Sequence, residues 1–153
     1  MGKGSKRRLD TLRALNGWMT IEMSGLRREQ RQTDQRLWNF EQRVKAIDAE
    51  ISEAESRART ALDAGAVLVI EEYRMLQAYL DHKQRTRVNN ERQRGFARER
   101  LVKIENKITR QELKLRGMEN LLQRKFKELQ IEMEHKQQSL MDEAWLLRRG
   151  DGA

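Results

Sequence analysis

Stepping by alternate fours and threes from Leu9, the chain presents Leu9, Leu12, Asn16, Met19, Met23, Leu26, Gln30, Thr33, Leu37, Phe40, Val44, Ile47, Ile51, Ala54, Ala58 and Ala61. Thirteen of these sixteen positions are apolar, and the residues between them are mostly Arg, Glu, Gln and Asp. A 3.5-residue period held for that long is the seam of a left-handed coiled coil, because it returns an apolar side chain to the same helix face at every turn. No proline interrupts the chain, so no position forces a lost backbone hydrogen bond or a ring clash. The polar seam residues Asn16, Gln30 and Thr33 cost stability and can fix register. Asn16-Gly17 is the one candidate break, since glycine inside a helix costs about 1 kcal/mol.

Charged residues make up 37% of the chain and aromatics 5%, too few large apolar side chains for an ordinary globular core. A disordered chain would be comparably polar but would lack the period. The net charge of +8 favours acidic partners without singling out nucleic acid. The absence of cysteine excludes disulfides and thiolate metal sites. Basic Lys3, Lys6, Arg7 and Arg8 are followed by no apolar core of a signal peptide, and Lys6 misses the myristoylation pattern. The longest apolar run, Ala64 to Ile70, is too short to span a bilayer. A cytoplasmic protein without direct membrane insertion is expected.

The stripe ends at Leu62-Asp-Ala-Gly-Ala-Val67, where Gly65 suits the left-handed residue that closes a helix. The expected layout is all-α and a single coiled-coil domain over 1–153, with helix 1 at about 5–62, a turn at 63–67 and helix 2 at about 67–149. The second seam begins with Val69, Tyr73, Leu76 and Leu80 and fades between Lys83 and Arg100. It resumes at Leu101, Ile104, Ile108, Gln111, Leu115, Met118 and Leu122. Phe126, Leu129, Met133, Leu140, Ala144 and Leu147 continue it, and the steps 118, 122, 126, 129 insert a stutter. Glu41/Lys45, Glu99/Lys103 and Glu132/Lys136 have the acid-first spacing that supports a helix. At 1.5 Å per residue the helices measure about 85 and about 120 Å. Pairing around Gly65 sets residue i against roughly 130 − i and leaves 125–149 overhanging with an apolar stripe. Such a stripe calls for a partner, either another protein or a second copy.

No catalytic or metal constellation is present: His82 and His135 stand in polar helical stretches, and there is no phosphate loop, GxSxG or HExxH. No cofactor is expected. A leucine-zipper reading would rest on Leu101, Ile108, Leu115 and Leu122 with the arginine-rich 85–100 upstream. Glu91 and Glu99 interrupt that basic region, Gly95-Phe96 weakens it, and Gln93 stands where the zipper family has alanine, so nucleic acid is not an expected partner. Trp18, Trp38 and Trp145 lie beside the seam, where they can flank the core or anchor a partner.

Ala64-Gly65-Ala66 followed by Tyr73, Leu76, Tyr79 and Leu80 resembles the turn and second-helix start of the FliJ/YscO/HrpO family of type III secretion stalk proteins. The C-terminal Glu134 to Arg149, with Asp142-Glu143-Ala144 and Arg148-Arg149, is similar to that family's terminal signature. The resemblance implies an antiparallel coiled coil like the gamma stalk of rotary ATPases. Such a protein is non-enzymatic, promotes assembly of a hexameric secretion ATPase and links it to an export-gate membrane protein, with export chaperones as further partners. It implies a peripheral location at the cytoplasmic face of a bacterial secretion apparatus, in flagellar or virulence export. The gate-contacting surface would map to Tyr73, Leu76 and Leu80, with Lys83 and Arg87 departing from the family's smaller or neutral residues. The ATPase would meet Lys6, Arg7, Arg8, Phe126, Met133, Leu140, Trp145, Leu147 and Arg148. The competing expectation is a generic coiled-coil scaffold or export chaperone that binds helical or acidic partners.

Overall fold

The computed structural model describes residues 2–65 and 69–151. They form two helices, α1 (Gly2–Asp63) and α2 (Ile70–Asp151), which pack against each other as an all-α hairpin. The coiled coil expected as one domain divides into two compact units, each with a stretch of both helices: Met1–Gly25 with Ile108–Ala153, and Leu26–Lys107.

α1 closes where the glycine predicts. Gly65 has φ 75°, a conformation that costs a residue with a Cβ but not glycine. Its N–H donates to the Leu62 carbonyl at 3.0 Å, and the Ala64 N–H to that of Thr60 at 3.0 Å. These bonds occupy carbonyls that a helix end otherwise leaves unpaired. The rest of the expected turn, 66 and 67, lies outside the described residues. α2 begins at Ile70, later than expected, with the Tyr73 N–H donating to the Val69 carbonyl at 3.0 Å. Glu71 and Glu72 occupy its first turn and Arg148 and Arg149 its last, each the sign that the helix dipole favours there.

All sixteen seam positions of α1 from Leu9 to Ala61 are buried or half-buried. Leu9, Met23 and Ile108 form the core of the first unit, and Val44, Ile47, Ile51 and Ile104 that of the second. Asn16-Gly17 does not break the helix.

α2 corrects the sequence reading in four places. Its seam does not fade between 83 and 100: Lys83, Arg87, Asn90, Arg94 and Ala97 are all half-buried at the same 3.5-residue period. The side chains become polar while the geometry continues. Long basic side chains lay their stems along the apolar surface of α1 and carry their charge to its edge. Thus Lys83 pairs with Glu50, and Arg87 Nε meets Asp48 at 2.5 Å, while Asn90 Nδ2 donates to the Thr86 carbonyl of its own helix at 2.9 Å. Secondly, there is no stutter. Met118, Leu122, Lys125 and Leu129 keep the period, and Phe126 is exposed beside it.

Thirdly, Val69 and Tyr73 are exposed and off the seam. Val69 precedes the helix, and α1 offers only Ala54, Ala58 and Ala61 near its end, too short to cover a tyrosine. Lastly, Glu41 reaches across to Arg98 at 3.4 Å rather than along its own helix to Lys45. Among the described residues no ion pair joins Glu99 to Lys103 or Glu132 to Lys136; the observed same-helix pairs include Glu53–Arg57 at 2.7 Å and Arg87–Glu91 at 3.2 Å.

The buried polar seam residues differ in how they are satisfied. Gln111 Nε2 donates to the Met19 carbonyl at 3.3 Å and to Glu22 at 3.2 Å, and Trp18 Nε1 donates to the other oxygen of Glu22 at 2.8 Å. Asn16 Oδ1, by contrast, is buried with no hydrogen-bond partner. An unsatisfied acceptor of this kind costs about 1–3 kcal/mol. Asn16→Leu is therefore expected to stabilise the chain by about 1–2 kcal/mol in urea unfolding, at some loss of register specificity. An unchanged or lower midpoint would show that Asn16 is satisfied in solution.

The Lys83 ammonium is held above the usual lysine range, chiefly by its hydrogen bond to Glu50, against the opposing effect of burial. Because the folded value is the higher one, the pair's contribution is complete at neutral pH and is lost only as pH climbs through and beyond the lysine range. Replacing Lys83 by Met, which keeps the apolar stem and removes the charge, is expected to lower the thermal midpoint slightly at neutral pH and to flatten the alkaline fall in stability. A variant that keeps the wild-type alkaline slope would assign that slope to other groups.

Candidate partner-binding surfaces

In the unit formed by Met1–Gly25 and Ile108–Ala153, α2 outruns α1. Leu129 is the last half-buried residue of α2, and every residue from 130 to 150 is exposed. The overhang thus starts later than the expected 125. α1 begins at Gly2, and the cross-helix pairs follow roughly 134 − i, as at Gln111 and Glu22. Leu140, Trp145, Leu146 and Leu147 are all more than half exposed, at 58–71%. The Arg149 guanidinium lies over the Trp145 ring, 5.0 Å from its centre, so Arg149 and not Arg148 covers that face.

The other residues assigned to this end fall on two sides of the helix pair. On one side, Lys6, Leu9, Asp10 and Arg13 of α1 and Phe126, Leu129, Glu132, Met133 and Lys136 of α2 line an open groove of about 360 Å³. On the other, Arg7, Arg8, Thr11 and Leu12 with Leu121 and Lys125 line one of about 400 Å³. The first groove mixes both signs around Phe126 and Met133. The second carries three cations and no carboxylate. Lys125 carries no apolar signal in the sequence, and the stutter expected at 122–126 puts Phe126 in its place; the structure half-buries Lys125 and exposes Phe126.

In the unit Leu26–Lys107, the three residues mapped to the export gate do not form one free surface. Leu76 and Leu80 are half-buried against α1; Leu76 lines an open groove of about 410 Å³ with Ala54, Ala58, Ala61 and Tyr79. Tyr73 is exposed, in company with Leu62, Ile70, Met75 and Tyr79. Ile70 and Met75 carried no sequence signal, since they lie off the seam and are conspicuous only once α1 is known to end at Asp63. This short stretch concentrates exposed apolar side chains, as protein-binding surfaces do.

Three of the six arginines in the stretch considered for DNA are engaged within the hairpin. Arg87 pairs with Asp48 at 2.5 Å, Arg98 with Glu41 at 3.4 Å and Arg100 with Glu29 at 3.9 Å. Trp18 and Trp38 are more than half exposed, so core packing accounts for only part of either ring. His82 and His135 are exposed. Among the described residues no group of three or more His, Cys, Asp or Glu could hold a metal ion, and no helix is long and apolar enough to cross a membrane. Comparison with protein-family models, curated proteins and solved structures found no match to this chain.

Proposed function

We propose that this chain is a non-enzymatic central-stalk and coupling component of a type III secretion ATPase complex, which promotes assembly of the ATPase hexamer and links it to the export gate. The observation that carries the reading is the unequal pairing in the terminal unit, where α2 extends past α1 as an apolar-faced arm from 130 to 150. Beside it stand the basic turns Lys3, Lys6, Arg7 and Arg8 and the cationic groove at Arg7, Arg8 and Lys125. A slender helix pair ending in an apolar, cationic tip is suited to enter a ring and pack against its walls. The similarity of the turn and of the C-terminal residues to the FliJ/YscO/HrpO family supports the same reading. The exposed Tyr73 with Ile70 and Met75 supplies a second surface suited to a gate protein.

In this proposal the chain works in the cytoplasm at the inner face of the secretion apparatus, and export chaperones are additional partners. The second reading, a generic coiled-coil scaffold or export chaperone, draws on the same exposed arm but needs no ATPase. Removal of residues 131–153 separates the two, because it spares every half-buried position and so leaves the paired region folded. Stimulation of a cognate secretion ATPase is expected to fall at least tenfold, a loss of about 1.4 kcal/mol or more in coupling, with helicity reduced only by the arm's share. Full stimulation by the shortened chain would remove the stalk reading.

A further inference from the structure

The apolar residues of the C-terminal arm do not continue the seam that holds the hairpin. Prolonged past Leu129 at its own period, that seam passes through Glu132, Lys136, Ser139 and Glu143 before it meets an apolar residue again at Leu146, all of them exposed. One position further round α2, the column facing the hairpin's edge reads Gln84, Glu91, Arg98, Glu105, Glu112 and Glu119, polar throughout. The next four members of that same column are Phe126, Met133, Leu140 and Leu147. Thus, within three residues of the point where α1 ceases to cover α2, the old column turns polar and its neighbour turns apolar. A shift of one residue turns the face by about 100° on an α-helix, so the new stripe runs along one flank of the pairing, where Phe126 and Met133 line the groove beside Leu9 and Arg13, and Leu140 and Leu147 carry it beyond α1.

The new stripe has its own heptad. Phe126, Met133, Leu140 and Leu147 occupy one core position, and Gln130, Gln137 and Ala144 the other. Strict seven-residue spacing suits a partner that is itself a supercoiling helix. Glutamine recurring at one core position suits a second copy in parallel register, since each amide both donates and accepts and can pair with its own equivalent. A polar residue at that position is the device that sets register in two-stranded coiled coils. In that register Glu143 of one copy also falls beside Arg148 of the other, the flanking pair that favours parallel alignment. An antiparallel pair would instead bring Lys127 near Arg148.

We propose that the arm is a zipper for a second copy of this chain, forming a parallel two-stranded coiled coil along Phe126, Met133, Leu140 and Leu147. The seam is short and contains two glutamines and an alanine, so the association is weak and reversible. It is a property of the free chain and does not depend on the stalk reading. Where that reading also holds, the ATPase and the second copy compete for one face, a consequence that does rest on it.

Sedimentation equilibrium of the full chain tests the proposal. The mass is expected to rise from one chain toward two between about 1 and 500 µM. Leu140→Glu is expected to weaken the association at least tenfold, whereas Leu146→Glu, about 100° round the helix from the stripe and equally exposed, leaves it unchanged. Both side chains are free of the paired region, so helicity by circular dichroism stays at the wild-type value. A spin label at Glu128→Cys reports direction: like-to-like separation is short in a parallel pair and about 32 Å in an antiparallel one. A chain that is monomeric over the whole range, a dimer indifferent to Leu140→Glu, or the long separation would each overturn the proposal.

Discussion

Everything in this structure depends on one apolar stripe per helix, shared between the two. An isolated helix in water gains little from its own hydrogen bonds and must bury a face to persist. Here α1 buries Val44, Ile47 and Ile51 in one unit and Leu9 and Met23 in the other, against an α2 whose seam carries more polar side chains. No large side chain is fully enclosed among the described residues. Stability is therefore spread thinly along the pairing, with each turn contributing a little and no single residue dominating.

The asymmetry between the partners follows from that economy. Opposite the best apolar stretch of α1, α2 supplies Lys83, Arg87, Asn90 and Arg94. Methylene stems replace branched aliphatics as the covering material, and their heads find Glu50 and Asp48 at the edge. Such pairs are partly exposed, and surface ion pairs are worth little in isolation. What discrimination they supply rests on Lys83: a slide by one heptad would set it against Arg43 or Arg57, whereas Arg87 would still meet a carboxylate, Glu41 or Glu55.

Much of this was legible in the chain itself, because a seam is a repeat and repeats survive translation into structure. The sixteen positions of α1 and the closure at Gly65 needed nothing but spacing and the chemistry of glycine. The seam of α2 is less legible, because apolarity is not the sign of burial there. Lys83, Arg87 and Lys125 are seam residues by geometry and surface residues by composition, and only their register with α1 shows which description governs. Tyr73 failed in the opposite sense: it has the composition and the spacing, but the alanines opposite are too small to cover it. The candidate surfaces were half legible for the same reason. The arm was visible as an excess of length, but the split of the basic end into two grooves depends on which side of the pairing each residue falls.

The most informative residues are those where the two helices part. A helix that merely frayed at its end would lose its apolar period gradually, with polar substitutions scattered over every face. α2 does not. At Glu132, Lys136, Ser139 and Glu143 the old seam is polar at four successive positions before Leu146, while Met133, Leu140 and Leu147 keep strict spacing on the neighbouring column. Two coordinated changes of that kind are not needed for solubility, which the first alone would serve. They are what a helix requires when it must hold one partner along most of its length and present a differently directed face to another beyond it. The arm's exposed face is thus a second interface written in the same seven-residue code as the first.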